Sequence, residues 1–246
     1  MRPGRRLIEP FVGSGAVFLN TSYSSYLLAD TNPDLINLYK QLNEEGQSFI
    51  DYCATLFKRT NNKTQYYRLR EEFNHTDDTR RKSSLLLYLN RHCYNGLVRY
   101  NSSGKFNTPF GRYKKPYFPE PEMQRFIQAS SWAEFLHMDF QQCMQLAGEG
   151  DVVYCDPPYI PLTSTANFTN YHTYGFDWDE QLKLIQHAKD LANRNVQVVI
   201  SNHDLPLTRK LYKQAGAKII KFQVKRTIST DINNRKQVGE LLAVFE

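Results

Sequence analysis

One stretch carries most of the fold prediction: Val152-Val153-Tyr154-Cys155-Asp156-Pro157-Pro158-Tyr159. It begins as a short apolar strand and ends at a carboxylate, two prolines and an aromatic ring. The prolines end the strand, because they lack the N–H that a sheet ladder needs and the first restricts the residue before it. Asp156 is therefore expected at the carboxyl end of the strand, where an open α/β sheet binds its ligands.

The residues at this edge suit chemistry on an exocyclic amino group. The Asp156 carboxylate and the Pro157 carbonyl can both accept hydrogen bonds from an adenine N6 amine, which draws the nitrogen lone pair out of the ring. The ring of Tyr159 can hold a base by stacking. An ordinary strand-ending turn with a satisfied aspartate explains the same residues equally well. Both interpretations stay open on this stretch alone.

A glycine turn lies near the start of the chain. Leu7–Glu9 reads as a short strand, Glu9–Gly15 runs into a Gly-x-Gly turn, and the apolar residues Ala16–Leu19 predict a helix immediately after it. A strand, a glycine turn and a helix form the first unit of a nucleotide-type α/β fold. The glycines let the backbone approach a ligand closely. The third glycine of a dinucleotide fingerprint is missing, so the motif alone is a weak signal.

Tyr26–Asp30 predicts the second strand. An acidic residue at its end is the usual partner of ribose hydroxyls. Asp30 could instead cap the next helix, a position for which Asn32 and Pro33 compete. That helix is predicted to stop near Gly46, with an apolar face formed by Leu35, Leu38, Tyr39 and Leu42. The interpretation as one binding site requires Asp156 to share a cavity with Asp30 and the glycine turn.

Positive charge is concentrated in one internal segment. The 246 residues include 31 Lys and Arg against 25 Asp and Glu, a net charge of +6. Residues 58–125 hold 15 Lys and Arg against 6 Asp and Glu, and the rest of the chain is slightly acidic. This distribution is typical of an enzyme domain with a nucleic-acid-binding insert. A solvated basic face is the alternative that charge leaves open.

The pattern changes between residues 51 and 132. The segment is basic, aromatic and irregular, with one apolar helix predicted at Ser83–Leu89. Over Tyr94–Pro116, polar and aromatic residues stand between Gly and Pro turns, as in a loop that reaches base edges and phosphates. The predicted domains are an α/β domain formed by 1–50 and 133–246 and an insert at 51–132.

The α/β pattern resumes after the insert. Strands are predicted at Trp132–Phe140, before Asp156, and at Val196–Ser201, Lys218–Ile228 and Val238–Phe245. Helices are predicted at Asp177–Arg194, with Leu182, Ile185, Ala188 and Leu191 inward, and at Pro206–Ala215. Pro161–Tyr174 predicts a mobile loop over the site, and Asp231–Gln237 predicts a polar turn. A last antiparallel pair on a parallel sheet is expected.

Cysteine and histidine spacing points away from several other classes of protein. Four cysteines stand far apart without a C-x-x-C pair, and the six histidines lack H-E-x-x-H spacing. A zinc site or a disulfide framework is therefore not expected. This cysteine usage indicates a protein of the reducing cytosol. Cys155 within the apolar strand is expected to be a packed side chain. The lack of a long apolar run or signal peptide predicts a soluble, intracellular protein.

These features occur in the order of a known family. The chain resembles the DNA adenine methyltransferases of the Dam type through nearly its whole length. The closest matches are at Tyr94–Leu97, Phe110–Phe118, Thr165–Thr169 and Ser201–Asp204. The resemblance implies a Rossmann-like, S-adenosylmethionine-dependent sheet with an inserted, mostly helical target-recognition domain. It also implies methylation of adenine N6 within GATC in double-stranded DNA, by a cytoplasmic monomer of a bacterial or phage-infected cell, without a metal or membrane.

The resemblance also implies roles for individual residues. The catalytic set would be Asp156, Pro157 and Tyr159. The cofactor set would be Glu9, Pro10, Phe11, Gly13, Gly15, Asp30 and Asp156, with Asp139 and Phe140 on the adenine side by a looser match. In the recognition loop, Tyr94 would intercalate, Asn95 and Lys114 would anchor phosphates, and Leu97, Arg99, Pro109, Arg112 and Tyr113 would read the groove. Arg99 is the natural reader of a guanine.

One departure from the family pattern bears on activity. A Lys-Trp-Ala-Gly-Gly-Lys motif of the family, which packs on the cofactor, does not occur in this sequence. Either the protein is longer than this chain, or part of the cofactor pocket is missing. The alternatives are a catalytically silent DNA-binding module, or an amino methyltransferase acting on RNA adenine or on cytosine N4. Asp at position 156 favours adenine by family habit.

Overall fold

The structure, a computed structural model, describes residues 1–58, 61–159, 176–225 and 237–246. The chain divides into two compact units. The first comprises Met1–Thr31 and Leu136–Glu246, and the second comprises Asn32–Phe135. The Thr165–Thr169 match, the predicted loop Pro161–Tyr174 and residues 231–236 of the predicted polar turn lie outside the described residues.

Seven strands of the described residues form one sheet, as the α/β prediction requires. Their bounds are β1 Arg6–Glu9, β2 Ser25–Asp30, β3 Ala133–His137, β4 Asp151–Cys155, β5 Gln197–His203, β6 Lys218–Lys225 and β7 Gln237–Phe245. The order across the sheet is β3-β2-β1-β4-β5-β7-β6. β1 pairs in parallel with β2 and β4, and β4 pairs in parallel with β5. β7 runs antiparallel between β5 and β6, so the predicted final antiparallel pair is confirmed.

The strand order reverses beside β1. From β1 the chain continues to β2 and β3 on one side, and β4 then pairs with the other side of β1. In open α/β sheets the carboxyl ends of the strands at such a reversal form the ligand crevice. Glu9 ends β1 and Asp156 directly follows β4, so both carboxyl groups lie at this edge.

The described residues of the first unit form three α-helices: α6 Phe140–Gln145, α7 Trp178–Ala192 and α8 Pro206–Gln214. The prediction that Leu182 points inward is wrong, because its side chain is 43% exposed. The buried face of α7 instead includes Gln181 and Leu184. Leu182 lies about 100° around the helix from Gln181, which takes it off that face. The cost of burying the Gln181 side chain is offset, because its amide donates to the Tyr212 hydroxyl at 3.0 Å.

The glycine turn does not lead into an α-helix. Only a 3₁₀ turn, Phe18–Asn20, lies between β1 and β2. The side-chain amide of Asn20 donates to the Ala16 carbonyl, and the Thr21 hydroxyl donates to the Val17 carbonyl. These side chains take acceptors that backbone N–H groups of a longer helix would use, so the helix ends here. The Ser and Thr residues that follow are weak helix formers, so nothing propagates the helix that the apolar run predicted.

The second unit is helical. Its helices are α1 Pro33–Glu45, α2 Gln47–Phe57, α3 Lys63–His75, α4 Thr79–His92 and α5 Glu120–Ala129. Of the candidate capping residues, Asn32 caps α1, and Pro33 occupies the first turn of this helix. The description of residues 51–132 as irregular with one helix is wrong, because α2, α3 and α5 are regular. α3 buries only Tyr66, Leu69 and Phe73, which is too few apolar residues to stand out in a polar sequence. Among the helices that the structure describes, none combines the length and the apolar character of a membrane span.

Candidate active site

A cavity of about 610 Å³ opens in the first unit, at the carboxyl ends of β1, β2 and β4. Seven of the predicted catalytic and cofactor residues line it: Glu9, Phe11, Gly13, Asp30, Asp156, Pro157 and Tyr159. Its volume lies within the range of small-molecule and cofactor sites. Asp156 therefore shares one cavity with Asp30 and the glycine turn, as the interpretation from sequence required.

The cavity wall is acidic. Glu9, Asp30 and Asp156 contribute three carboxyl groups, and none of the lining residues that the structure describes is Lys or Arg. Glu9 is only 3% exposed, and its Oε1 has no hydrogen-bond partner among the described residues. Burial raises the pKa of Glu9 to about 8 against the lowering effect of the Phe18 N–H, and the charge of Asp156 adds to the rise. A wall of this kind suits a ligand that carries positive charge and hydrogen-bond donors.

The glycine turn presents backbone to the cavity. Gly13 and Gly15 have positive φ angles of 46° and 70°, which side chains other than glycine rarely adopt. A Cβ on Gly13 would meet no atom within 4 Å, so the space beside it is open. The Gly13 N–H donates to Asp30 Oδ2 at 3.1 Å. Asp30 thus links the end of β2 to the turn that follows β1.

Asp156 lies among hydroxyl groups. Its Oδ1 is 2.6 Å from Ser201 Oγ. The Tyr159 and His203 rings pack in a T-shaped arrangement, with centroids 4.7 Å apart and an interplanar angle of 85°. Burial, then the Asp156 charge, raise the pKa of Tyr159 far above its ordinary value. Burial also raises the pKa of Tyr154 to about 12. Both tyrosines therefore stay neutral beside the carboxylate.

Four predicted cofactor residues stand outside the cavity wall: Pro10, Gly15, Asp139 and Phe140. Phe140 belongs to the hydrophobic core and stacks on Phe11 at 5.5 Å, so it supports a lining residue from behind. Asp139 caps α6 by accepting the Gln142 N–H at 2.9 Å. Conversely, sequence reasoning missed seven lining residues: Val12, Ser14, Ala16, Val17, Thr31, Tyr154 and Pro158. All seven flank predicted motifs, so a wider window around each motif would have found them.

The cysteines have a packing role. All four are buried and unpaired. Burial raises the pKa of Cys53 and Cys143 to about 12 and that of Cys93 to about 11, and it raises the pKa of Cys155 well above its ordinary value. Neutral buried thiols are not nucleophiles. Among the residues that the structure describes, no group of three or more His, Cys, Asp or Glu side chains is placed to hold a metal ion.

The predicted DNA-contacting residues all lie in the segment between α4 and α5 of the second unit. Seven of the eight are exposed, namely Tyr94, Leu97, Arg99, Pro109, Arg112, Tyr113 and Lys114. Asn95, the eighth, is half-buried and has a left-handed backbone, as does Arg112. The Tyr113 hydroxyl accepts the Asn95 N–H at 3.1 Å, which ties the two ends of the segment together.

Polar side chains on one face of α3 hydrogen-bond to this segment and support it. The buried Tyr66 hydroxyl donates to the Thr108 carbonyl at 2.8 Å, and Arg70 donates to the same carbonyl at 3.2 Å. The Asn74 amide donates to the Phe106 carbonyl at 3.1 Å and accepts the Phe106 N–H at 2.8 Å. Sequence reasoning missed this support. Its signal was the spacing of four between residues 66, 70 and 74, which places polar groups on one helix face.

Gly111 closes the same segment against the end of α4. Its N–H donates to the His92 carbonyl at 2.8 Å, and a Cβ added to it would lie 2.5 Å from the Cys93 carbonyl oxygen. The backbone of Cys93 cannot move away as easily as the end of a flexible side chain. We therefore expect Gly111→Ala to lower the free energy of unfolding by roughly 1–3 kcal/mol. Urea denaturation measures this change. Gly148→Ala, where nothing lies within 4 Å of the added Cβ, is the control. Equal stability of the two variants would contradict the close approach.

The sheet order, the crevice beside β1 and the glycine turn define an α/β enzyme of the Rossmann-like methyltransferase type. Residues 2–228 match the family described as D12 class N6 adenine-specific DNA methyltransferase. The chain is 52% identical over 244 residues to the DNA adenine methylase of Serratia marcescens, covering 98% of this chain and 90% of that protein. It is 48% identical over 244 residues to that of Escherichia coli strain K12, covering 99% and 87%. It is 47% identical over 243 residues to that of Vibrio cholerae serotype O1, covering 98% and 87%.

The chain therefore belongs to the D12 class of N6 adenine-specific DNA methyltransferases. This confirms the family resemblance and the α/β methyltransferase fold that the sequence predicted. The chain is accordingly a methyl-transferring enzyme whose substrate is adenine in DNA.

Proposed function

We propose that this chain transfers the methyl group of S-adenosylmethionine to adenine N6 within GATC sites of double-stranded DNA. The observation that carries the proposal is the acidic cavity in which the glycine turn, Asp30 and Asp156 meet. GATC is the site that the Dam-type resemblance implied. We further propose that residues 51–132, most of the second unit, form the target-recognition domain.

The residues of the cavity fit this cofactor. When bound, S-adenosylmethionine supplies an electrophilic methyl group on a positively charged sulfonium. Glu9 offers a buried oxygen without a partner, suited to a cationic group of the cofactor. Asp30 ends β2, where a carboxylate commonly accepts ribose hydroxyls. The open space beside Gly13 leaves room for a ligand against the backbone.

The residues after β4 would hold the target amine. Asp156 and the Pro157 carbonyl accept the two N6 hydrogens and so direct the nitrogen lone pair out of the ring plane. The Tyr159 ring, kept neutral and packed in a T-shaped arrangement with His203, stacks on the extruded base. Extruding the base costs a few kcal/mol of stacking and pairing. Most of the acceleration then comes from holding the two reacting atoms in position, and the local charges contribute the rest.

The loop between α4 and α5 would read the DNA. Tyr94 is 46% exposed and Leu97 is 47% exposed. These two side chains can therefore insert into a base stack or contact a thymine methyl group. Asn95 and Lys114 anchor phosphates, whereas Pro109, Arg112 and Tyr113 contact the groove. The polar support from α3 keeps these residues in register, which lowers the entropy lost on binding.

Arg99→Ala is expected to relax discrimination at one guanine by roughly 1–3 kcal/mol, because a bidentate contact to guanine is lost. Arg99→Lys keeps the charge but loses the planar fork, so it should retain affinity and lose most of the discrimination. Methylation rates on duplexes with single substitutions in GATC measure both effects. An unchanged preference in Arg99→Ala would rule out this reader.

The function is tested by incubating unmethylated plasmid with the purified chain and S-adenosylmethionine. Subsequent cleavage by a nuclease that cuts only methylated GATC is the expected result. Plasmid that remains uncut at saturating enzyme, in a protein that still binds DNA, would favour a catalytically silent DNA-binding module. Calorimetry with the cofactor then separates a lost cofactor pocket from a lost catalytic group.

A further inference from the structure

We propose that Ser201 is a positioning residue for methyl transfer: its hydroxyl holds one oxygen of the Asp156 carboxylate so that the other oxygen is presented to the target amine. The inference rests on the proposed function of Asp156. Ser201 Oγ lies 2.6 Å from Asp156 Oδ1 and 3.2 Å from the Cys155 carbonyl oxygen. No role for Ser201 follows from the cavity wall, because this side chain is not among its lining residues.

Of the two oxygens near Ser201 Oγ, the Asp156 carboxylate is the better acceptor for the single hydroxyl hydrogen. A serine hydroxyl has a single hydrogen to donate. The 2.6 Å separation from Asp156 falls in the range of short, charge-assisted O–H···O⁻ bonds, whereas 3.2 Å to Cys155 is long for a hydroxyl donor. Ser201 is 1% exposed, so solvent does not compete for this hydrogen. The bond is therefore short, and its donor is shielded from solvent.

The sheet explains why these two side chains meet. β4 and β5 pair in parallel with Cys155 opposite Ile200, which puts Asp156 level with Ser201. Ser201 is still within β5, whereas Asp156 is already past the end of β4, where the prolines have ended the ladder. The rigid strand thus holds the carboxylate that stands at the start of a loop.

Ser201 holds the carboxylate from a strand, whereas the Tyr159 hydroxyl, which also hydrogen-bonds Asp156, stands on the segment after β4. The terminal torsion of aspartate is broad, so nothing intrinsic to Asp156 fixes which oxygen faces the cavity. Asp156 is itself exposed, so water would also compete for its oxygens. Fixing Oδ1 on Ser201 leaves Oδ2 to accept the N6 hydrogen in one defined direction. Preorganisation of this kind acts on the chemical step and leaves ligand affinity almost unchanged.

Single-turnover methylation of a GATC duplex tests the inference. Ser201→Ala is expected to lower the rate at saturation about 10- to 100-fold, the effect of one hydrogen bond to a charged group. Dissociation constants for DNA and for S-adenosylmethionine should stay within about twofold of the wild type. The substitution removes a bond within the protein and no contact to either ligand. Ser201→Thr restores the hydroxyl and should recover most of the rate. The control is Ser130→Ala, which removes an equally buried hydroxyl whose Oγ lies 2.9 Å from Asn43 Oδ1 in the second unit.

The outcomes separate a positioning role from a structural one. A slow Ser201→Ala with wild-type affinities and melting temperature, rescued by threonine, supports the inference. A wild-type rate in Ser201→Ala overturns it, and so does a loss shared equally by the rate, both affinities and the melting temperature. The same panel includes Asp156→Ala. If that variant methylates normally, the proposed function of Asp156 fails together with the inference; if it is inactive while Ser201→Ala is normal, only the inference fails.

Discussion

Asp156→Ala is expected to lower the rate of methyl transfer by about 100- to 1000-fold or more, while DNA affinity changes little. The carboxylate lines the cavity at the end of β4 and accepts a hydrogen bond from Ser201. Removing a preorganised group that acts on developing charge typically has an effect of this size on the chemical step. DNA affinity depends mainly on phosphate contacts, which we propose that the basic second unit provides. Single-turnover rates and DNA titrations measure the two quantities separately.

Asp156→Asn provides the matched control for this experiment. The amide keeps the size and one acceptor oxygen but loses the negative charge, so its rate should lie between those of the wild type and Asp156→Ala. This ordering would attribute the effect to charge and geometry together. Full activity in Asp156→Ala would refute the proposed role of the carboxylate.

Affinity for S-adenosylmethionine is expected to rise with pH by up to about tenfold per unit between pH 6 and 8, and to level off above pH 8. Burial raises the pKa of Glu9 to about 8 in the free protein, so this carboxyl group is neutral below that pH and ionised above it. A cationic ligand favours the ionised form and lowers the pKa on binding. Below pH 8, binding must therefore expel a proton, and each unit of lower pH makes that step more costly.

Calorimetry in two buffers of different ionisation enthalpy measures this linkage directly, because the difference in heat reports the protons released. We expect about one proton per cofactor at pH 7 in the wild type. Glu9→Gln cannot ionise and should bind with a flat pH profile and no proton release from this position. S-adenosylhomocysteine, which lacks the sulfonium charge, is the ligand control and should show a weaker dependence. A pH-independent affinity in the wild type would contradict the role of Glu9.

The edge of the sheet at which the cavity lies was predictable, because Pro and Gly mark strand ends without reference to the rest of the fold. Two prolines end β4 at Cys155, directly before Asp156, and Gly13 and Gly15 fix the turn after β1. Side chains at the carboxyl ends of adjacent parallel strands must meet at one edge. Local sequence and one topological rule therefore bring Glu9, Asp30 and Asp156 together.

Contacts that depend on register or on burial of polar groups were not predictable. Ser201 reaches Asp156 only because Cys155 pairs with Ile200, and no local signal sets that alignment. Tyr66 is fully buried on a helix whose sequence is mostly polar. Its hydroxyl can be buried because it donates a hydrogen bond to the Thr108 carbonyl. Leu182 is exposed although it is apolar. In each case tertiary packing, which a single sequence does not display, outweighs the local preference.

The most direct test is nucleoside analysis of two duplexes after incubation with the chain and S-adenosylmethionine. One duplex carries a single GATC, and the other has the same composition with that site scrambled. We expect N6-methyldeoxyadenosine in the first duplex alone, with no N4-methyldeoxycytidine in either. Methylated cytosine, or equal methylation of both duplexes, would contradict an adenine-specific transfer at GATC through the Asp156 cavity.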